Sequence, residues 1–125
     1  MKRLRDLSGQ EIATRLQCGR LQLRVGPYTY ALQSNLPRIA AGVETLYADF
    51  HLVDSDEFDD FSVAMNHNGL LSRLRRRADF LFEHQRPFGS IPAHQAYAFL
   101  EWGMNWCVSV HVNEYLKLHA AAVAR

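Results

Sequence analysis

A chain of 125 residues has the size of one domain and can bury roughly two thirds of the surface its unfolded form exposes. Seven phenylalanines, five tyrosines and two tryptophans exclude a disordered chain, and a formal net charge of +1 removes any global electrostatic case for nucleic acid or a membrane surface. Cys18 and Cys107 form no CxxC pair, which fits reduced thiols in the cytoplasm, and the opening Met1-Lys2-Arg3-Leu4-Arg5-Asp6 lacks the apolar run of a signal peptide.

Ser8-Gly9-Gln10-Glu11 reads as a capping box, with Leu7 and Ile12 as its hydrophobic staple. It predicts a short N-terminal helix over residues 9–17 that can end at Gly19. Leu21, Leu23 and Val25 alternate with polar residues, Gly26-Pro27 breaks the run, and Tyr28, Tyr30 and Leu32 alternate again. Residues 20–34 are therefore expected to form a β-hairpin. Ser34-Asn35-Leu36-Pro37 opens a helix with Ser34 or Asn35 as the cap and proline in the first turn. Leu36, Ile39, Ala40, Val43, Leu46, Tyr47 and Phe50 give it one apolar face.

Residues 54–60 form an acidic loop. Phe61, Val63 and Met65 suggest a third strand, His67-Asn68-Gly69 a turn, and Phe80 and Phe82 a fourth strand. Pro87, Gly89 and Pro92 mark a loop, and a helix apolar on most sides follows over about residues 92–111. Such a helix belongs at the centre of a fold, and its polar Glu101, Asn105, Ser109 and His111 argue against a membrane span. Gly103 in its middle costs about 1 kcal/mol relative to alanine, which close packing against a neighbour would justify. Residues 115–124 read as a final strand. The expected class is α+β: an antiparallel sheet of about five strands with two main helices and a short N-terminal helix. A domain of residues 1–114 would precede the first strand of a further core at 115–125, and ending in mid-strand suggests the front of a longer protein.

Several clusters could carry chemistry. Asp54, Asp56, Glu57, Asp59 and Asp60 lack the glycine and terminal glutamate of an EF-hand and read as a solvated loop. Arg73, Arg75, Arg76 and Arg77 either hold an anion, such as phosphate, an acidic peptide or another domain, or charge a sheet edge against unwanted pairing. None of the six histidines makes an HExxH or Cys/His zinc pattern, so no metal site is expected. Cys107 and His111 lie four apart on one helix, and the better reading is a buried thiol near a histidine. His119, among Leu118 and three alanines, reads by itself as a core histidine. There is no GxxxxGK[ST], GxGxxG or GxSxG.

The run Phe99-Leu100-Glu101-Trp102-Gly103-Met104-Asn105-Trp106-Cys107, followed by Tyr115-Leu116-Lys117-Leu118-His119-Ala120-Ala121-Ala122-Val123, closely resembles the proteins called HprK-related kinase A. These are relatives of bacterial HPr kinase/phosphorylase. Leu21–Pro27, Leu46–Asp49 and Pro87-Phe88 agree, so the resemblance covers nearly the whole chain. It implies the N-terminal domain of an ATP-dependent serine kinase that uses ATP and Mg²⁺ and acts on a protein or peptide. An HPr-like protein or a modified peptide carried by a PqqD-type chaperone are the implied partners, together with the remaining kinase domain and, as a further possibility, a second copy. The resemblance also places His119 near phosphate, although Ala120 stands where classical HPr kinases have glycine. The phosphate loop itself is missing, so these residues alone are expected neither to bind ATP appreciably nor to catalyse. The other reading is a stand-alone module that captures a partner on its hairpin edge or arginine run.

Overall fold

The computed structural model describes residues 2–53 and 59–123, with side chains described as far as Val110. The expected α+β architecture is present. Among the described residues, four α-helices, α1 (Gly9–Cys18), α2 (Pro37–Leu46), α3 (Gly69–Leu74) and α4 (Ala96–Val123), accompany six strands. The strands are β1 (Leu21–Val25), β2 (Tyr28–Ser34), β3 (His51–Leu52), β4 (Phe61–Asn66), β5 (Arg77–Phe82) and β6 (Ile91–Pro92), in the order β3-β1-β2-β4-β5-β6.

Local signals set the first half. The Ser8 hydroxyl accepts from the Glu11 N–H at 3.1 Å, and the Glu11 carboxylate accepts from the Ser8 N–H at 3.3 Å. Gly19, at a φ of 71°, closes α1 in the left-handed region that glycine enters at no steric cost. Ser8→Ala is expected to cost about 1 kcal/mol, read as a lower urea midpoint with an unchanged slope. The hairpin β1–β2 pairs Leu21 with Leu32 and Leu23 with Tyr30.

Four expectations need correction. First, the sheet is not wholly antiparallel: β2 and β4 run parallel, with Leu32 beside Val63. Residues 35–60 carry α2 and β3 between them, and such a crossover returns the chain in the direction it left. Second, neither Ser34 nor Asn35 caps α2, whose N-cap is Leu36. The Ser34 hydroxyl donates to the Met65 carbonyl at 2.5 Å and accepts from the Leu36 N–H, so it ties the two central strands together instead. Third, β6 lies in the segment expected to be loop, and the helix α3 follows the turn expected at residues 67–69, where no element was expected. Fourth, residues 115–123 are helical, not a strand. No proline or glycine occurs between Met104 and Val123, and leucine, lysine and a run of three alanines all favour helix, so nothing stops α4. The boundary expected at 114/115 thus falls inside one continuous helix of 28 residues, about 42 Å long.

One face of the sheet carries the core. Leu21, Leu23, Tyr30, Leu32, Phe61, Val63, Met65, Ala78 and Phe80 share it by register, and the cluster also takes in Ile12, Leu16, Ile39, Val43, Leu100, Met104 and Cys107 of the helices. The other face shows partly exposed Gln22, Gln33, Ser62, Ala64 and Asn66. Two close approaches lock α4. The Tyr97 ring lies over Gly42 of α2, and the Phe80 ring lies over Gly103, where an added Cβ would sit 2.3 Å from the ring. Tyr30 is 2% exposed, and its hydroxyl donates to the Met104 carbonyl at 2.9 Å.

Candidate docking surface

Among the described residues, the segment following β4 holds three of the five exposed large hydrophobic side chains. α3 buries none of its residues, and Leu70, Leu71 and Leu74 are 72%, 60% and 72% exposed. Positions i, i+1 and i+4 share one side of a helix, so the three leucines form a ridge. Arg73, Arg75 and Arg76 are exposed beside it. Residues 61–78 contain four arginines and no carboxylate.

A polar ladder fixes α3 to the sheet. Asn66 donates its amide to Gln33 and accepts from the Asn35 N–H at 2.8 Å. Asn35 in turn accepts from the His67 N–H at 3.0 Å. The His67 Nδ1 lies 2.7 Å from the Arg77 carbonyl, an acceptor that places the ring proton on Nδ1, and the Ser72 hydroxyl donates to the same carbonyl at 3.0 Å. Beside α3 lies a cavity of about 380 Å³ lined by Asn35, Pro37, His67, Gly69, Leu70 and Arg73.

The arginine run divides here. Arg73 lines the cavity, and Arg75 and Arg76 face solvent. Arg77 belongs to β5 and donates to the Ser90 hydroxyl at 3.2 Å and to the Ser90 carbonyl at 2.6 Å, so its role is to hold the loop before β6. The leucine ridge is the feature that sequence reading passed over. The Leu70, Leu71, Leu74 spacing was the available signal, masked by the turn residues Asn68-Gly69 in front of it.

The other candidates fare differently. Asp54, Asp56 and Glu57 lie outside the described residues. Asp59 accepts from the Gln22 amide at 2.8 Å and Asp60 from the Thr29 N–H at 2.8 Å, so both bracket the hairpin. Cys107 is fully buried, and burial, with Glu83 adding to it, pushes its thiol up to about 12. That is the opposite of what a nucleophile needs. The side chains of His111 and His119 fall outside the described residues, and both lie on helical backbone. Among the described residues no three His, Cys, Asp or Glu side chains are grouped to hold a metal ion, and no helix is long and apolar enough to cross a membrane.

The fold and this surface define a class: a mixed α/β domain with helices on one sheet face and, on its surface, a leucine-ridged helix followed by exposed arginines. No family model matches the chain, and no curated protein or solved structure shows significant similarity to it.

Proposed function

We propose that this chain is a protein-docking domain that serves an ATP-dependent serine kinase of the HPr kinase/phosphorylase type, as its N-terminal accessory part. The observation that carries the docking role is the ridge of Leu70, Leu71 and Leu74. Clustered exposed apolar side chains rimmed by charge mark interaction sites on soluble domains. Support for the kinase context comes from the resemblance along residues 99–107. These residues lie in α4, where Gly103, Met104 and Cys107 are buried, so likeness there bears on the architecture of this domain. ATP and Mg²⁺ would be bound by a kinase core beyond these residues. An HPr-like protein, or a peptide held by a PqqD-type chaperone, is the substrate that the docking surface would present. The phosphate role for His119 presumes a strand, and with residues 115–123 helical it does not enter the proposal.

A stand-alone interaction module is the second reading. The continuity of α4 through 114/115 favours it, because the strand expected to lead into a phosphate loop is absent there.

Reading the coding DNA beyond codon 125 tests the kinase context. A GxxxxGK[ST] motif within about 25 codons supports it, and a stop codon directly after Arg125 overturns it in favour of the module. A photo-cross-linking residue at Leu71, with one at exposed Gln10 as control, tests docking. A defined adduct with the substrate protein or a second copy from Leu71 alone supports it. Equal adducts from both positions, or none, overturn it.

A further inference from the structure

We propose that the cavity beside α3 recognises a carboxylate, presented by a glutamate or aspartate on an amphipathic helical segment of the docked partner. The inference rests on the docking reading and deepens it by naming the partner's chemistry. Three observations carry it.

The first is the donor set. Arg73 and Asn35 both line the cavity, and none of its described lining residues is acidic. The Asn35 carbonyl oxygen is engaged by the His67 N–H, so the free end of that amide is its NH₂ group, a donor. A guanidinium and an amide NH₂ lining one cavity suit an oxyanion, and a charge-assisted bond to arginine is roughly twice as strong as a neutral one.

The second is preorganisation. Asn35 is held from both sides, its N–H by Asn66 and its oxygen by His67, and the His67 ring is pinned to the Arg77 carbonyl. The Asn35 and His67 side of the cavity is therefore set before any partner arrives, which lowers the entropy cost of binding there.

The third is continuity with the ridge. Leu70 lines the cavity and also begins the exposed row that continues to Leu74, one turn on. A single helix laying apolar side chains along the row would bring a neighbouring acidic side chain to Arg73, with Arg75 and Arg76 beyond it. Charge complementarity selects an acidic partner, since residues 61–78 hold arginines and no carboxylate. A concave cavity with Asn35 and His67 held in its wall also argues against a lipid bilayer, whose flat surface offers nothing to fill it.

The test uses the full chain and a fluorescein-labelled helical peptide of alanine, leucine and glutamate, its leucines at i, i+3, i+4 and i+7 beside a row of glutamates. Micromolar binding by fluorescence anisotropy is expected, with amide shifts confined to Asn35 and residues 67–76. Arg73→Ala should weaken binding about tenfold, and a peptide with every glutamate replaced by glutamine should lose at least as much on the wild-type chain. Arg73→Ala should then cause little further loss for the glutamine peptide, while exposed Arg20→Ala leaves both peptides unchanged. Circular dichroism checks that each surface variant is folded. Equal binding of the glutamate and glutamine peptides overturns the carboxylate pocket. If Leu70→Ser and Leu74→Ser still weaken binding in that case, the docking reading survives; if they do not, both fall. Tighter, leucine-dependent binding to phosphatidylserine vesicles than to the peptide, or displacement of the peptide by submillimolar inorganic phosphate, also overturns the proposal.

Discussion

Gly103→Ala is expected to destabilise the domain by about 1–3 kcal/mol, even though alanine is the better helix former by about 1 kcal/mol. The added Cβ would sit 2.3 Å from Phe80 Cε2 and 2.5 Å from its Cζ. A flexible neighbour would move aside, but this ring is 1% exposed and hemmed by Phe88, Phe99 and Trp106, with centroids 6.0 to 6.5 Å away. Overpacking such a site forces off-rotamer side chains or a backbone shift. Urea unfolding followed by tryptophan fluorescence should show the midpoint fall with the slope unchanged. The cause is tested by a second substitution. Phe80→Leu removes the clashing ring atoms and should cost less when alanine occupies 103 than when glycine does, a coupling expected at about 1 kcal/mol. A neutral or stabilising Gly103→Ala would mean that α4 lies farther from β5 than described.

The two thiols should differ in reactivity by at least about 10³-fold at pH 8. Cys18 is exposed at the end of α1, whereas Cys107 is buried in the core. A thiol with its pKa pushed up to about 12 holds only about one part in 10⁴ as thiolate at pH 8, before access is counted. One equivalent of Ellman's reagent should react at once and the second only on unfolding. Rapid labelling of both thiols in the folded chain would contradict the buried position. The same groups give an alkaline limit. Burial raises the pKa of Cys107 above its ordinary 9.0, and burial first, then neighbouring charges, raises Tyr30 and Tyr97 above 10.0. A group whose folded pKa is raised contributes stability that is complete below its unfolded pKa and is lost as pH climbs towards the folded one. The urea midpoint should therefore show no loss from these groups between pH 7 and 8.5 and should fall steadily above about pH 9.

Where the fold was legible in the sequence, short-range chemistry dictated it. Ser8 and Glu11 cap α1 through their own neighbouring N–H groups, Gly19 ends it, and the alternation across Gly26-Pro27 folds the hairpin back on itself. The apolar face of α2, the alternation of β4 and the all-round apolar start of α4 follow from periodicity, which acts within a few residues. Even Gly103 announced a close contact, because a glycine there is costly without one.

Tertiary structure alone decided the rest. Whether β4 joins β2 parallel or antiparallel depends on the path of residues 35–60, which no local pattern specifies. Ser34 and Asn35 looked like helix caps, but the chain brings Met65 and His67 against them, and those partners take the side chains. The run Arg73, Arg75, Arg76, Arg77 is uniform in sequence, yet one residue lies in a strand against Ser90 and another lines a cavity with Asn35, far away along the chain. The segment 115–123 carries both an apolar strand-like reading and strong helix formers. Continuation from α4 settles it, because extending an existing helix needs no new nucleus. Helices and turns are set by neighbours along the chain, whereas the candidate docking surface is assembled from segments that meet only when the sheet forms.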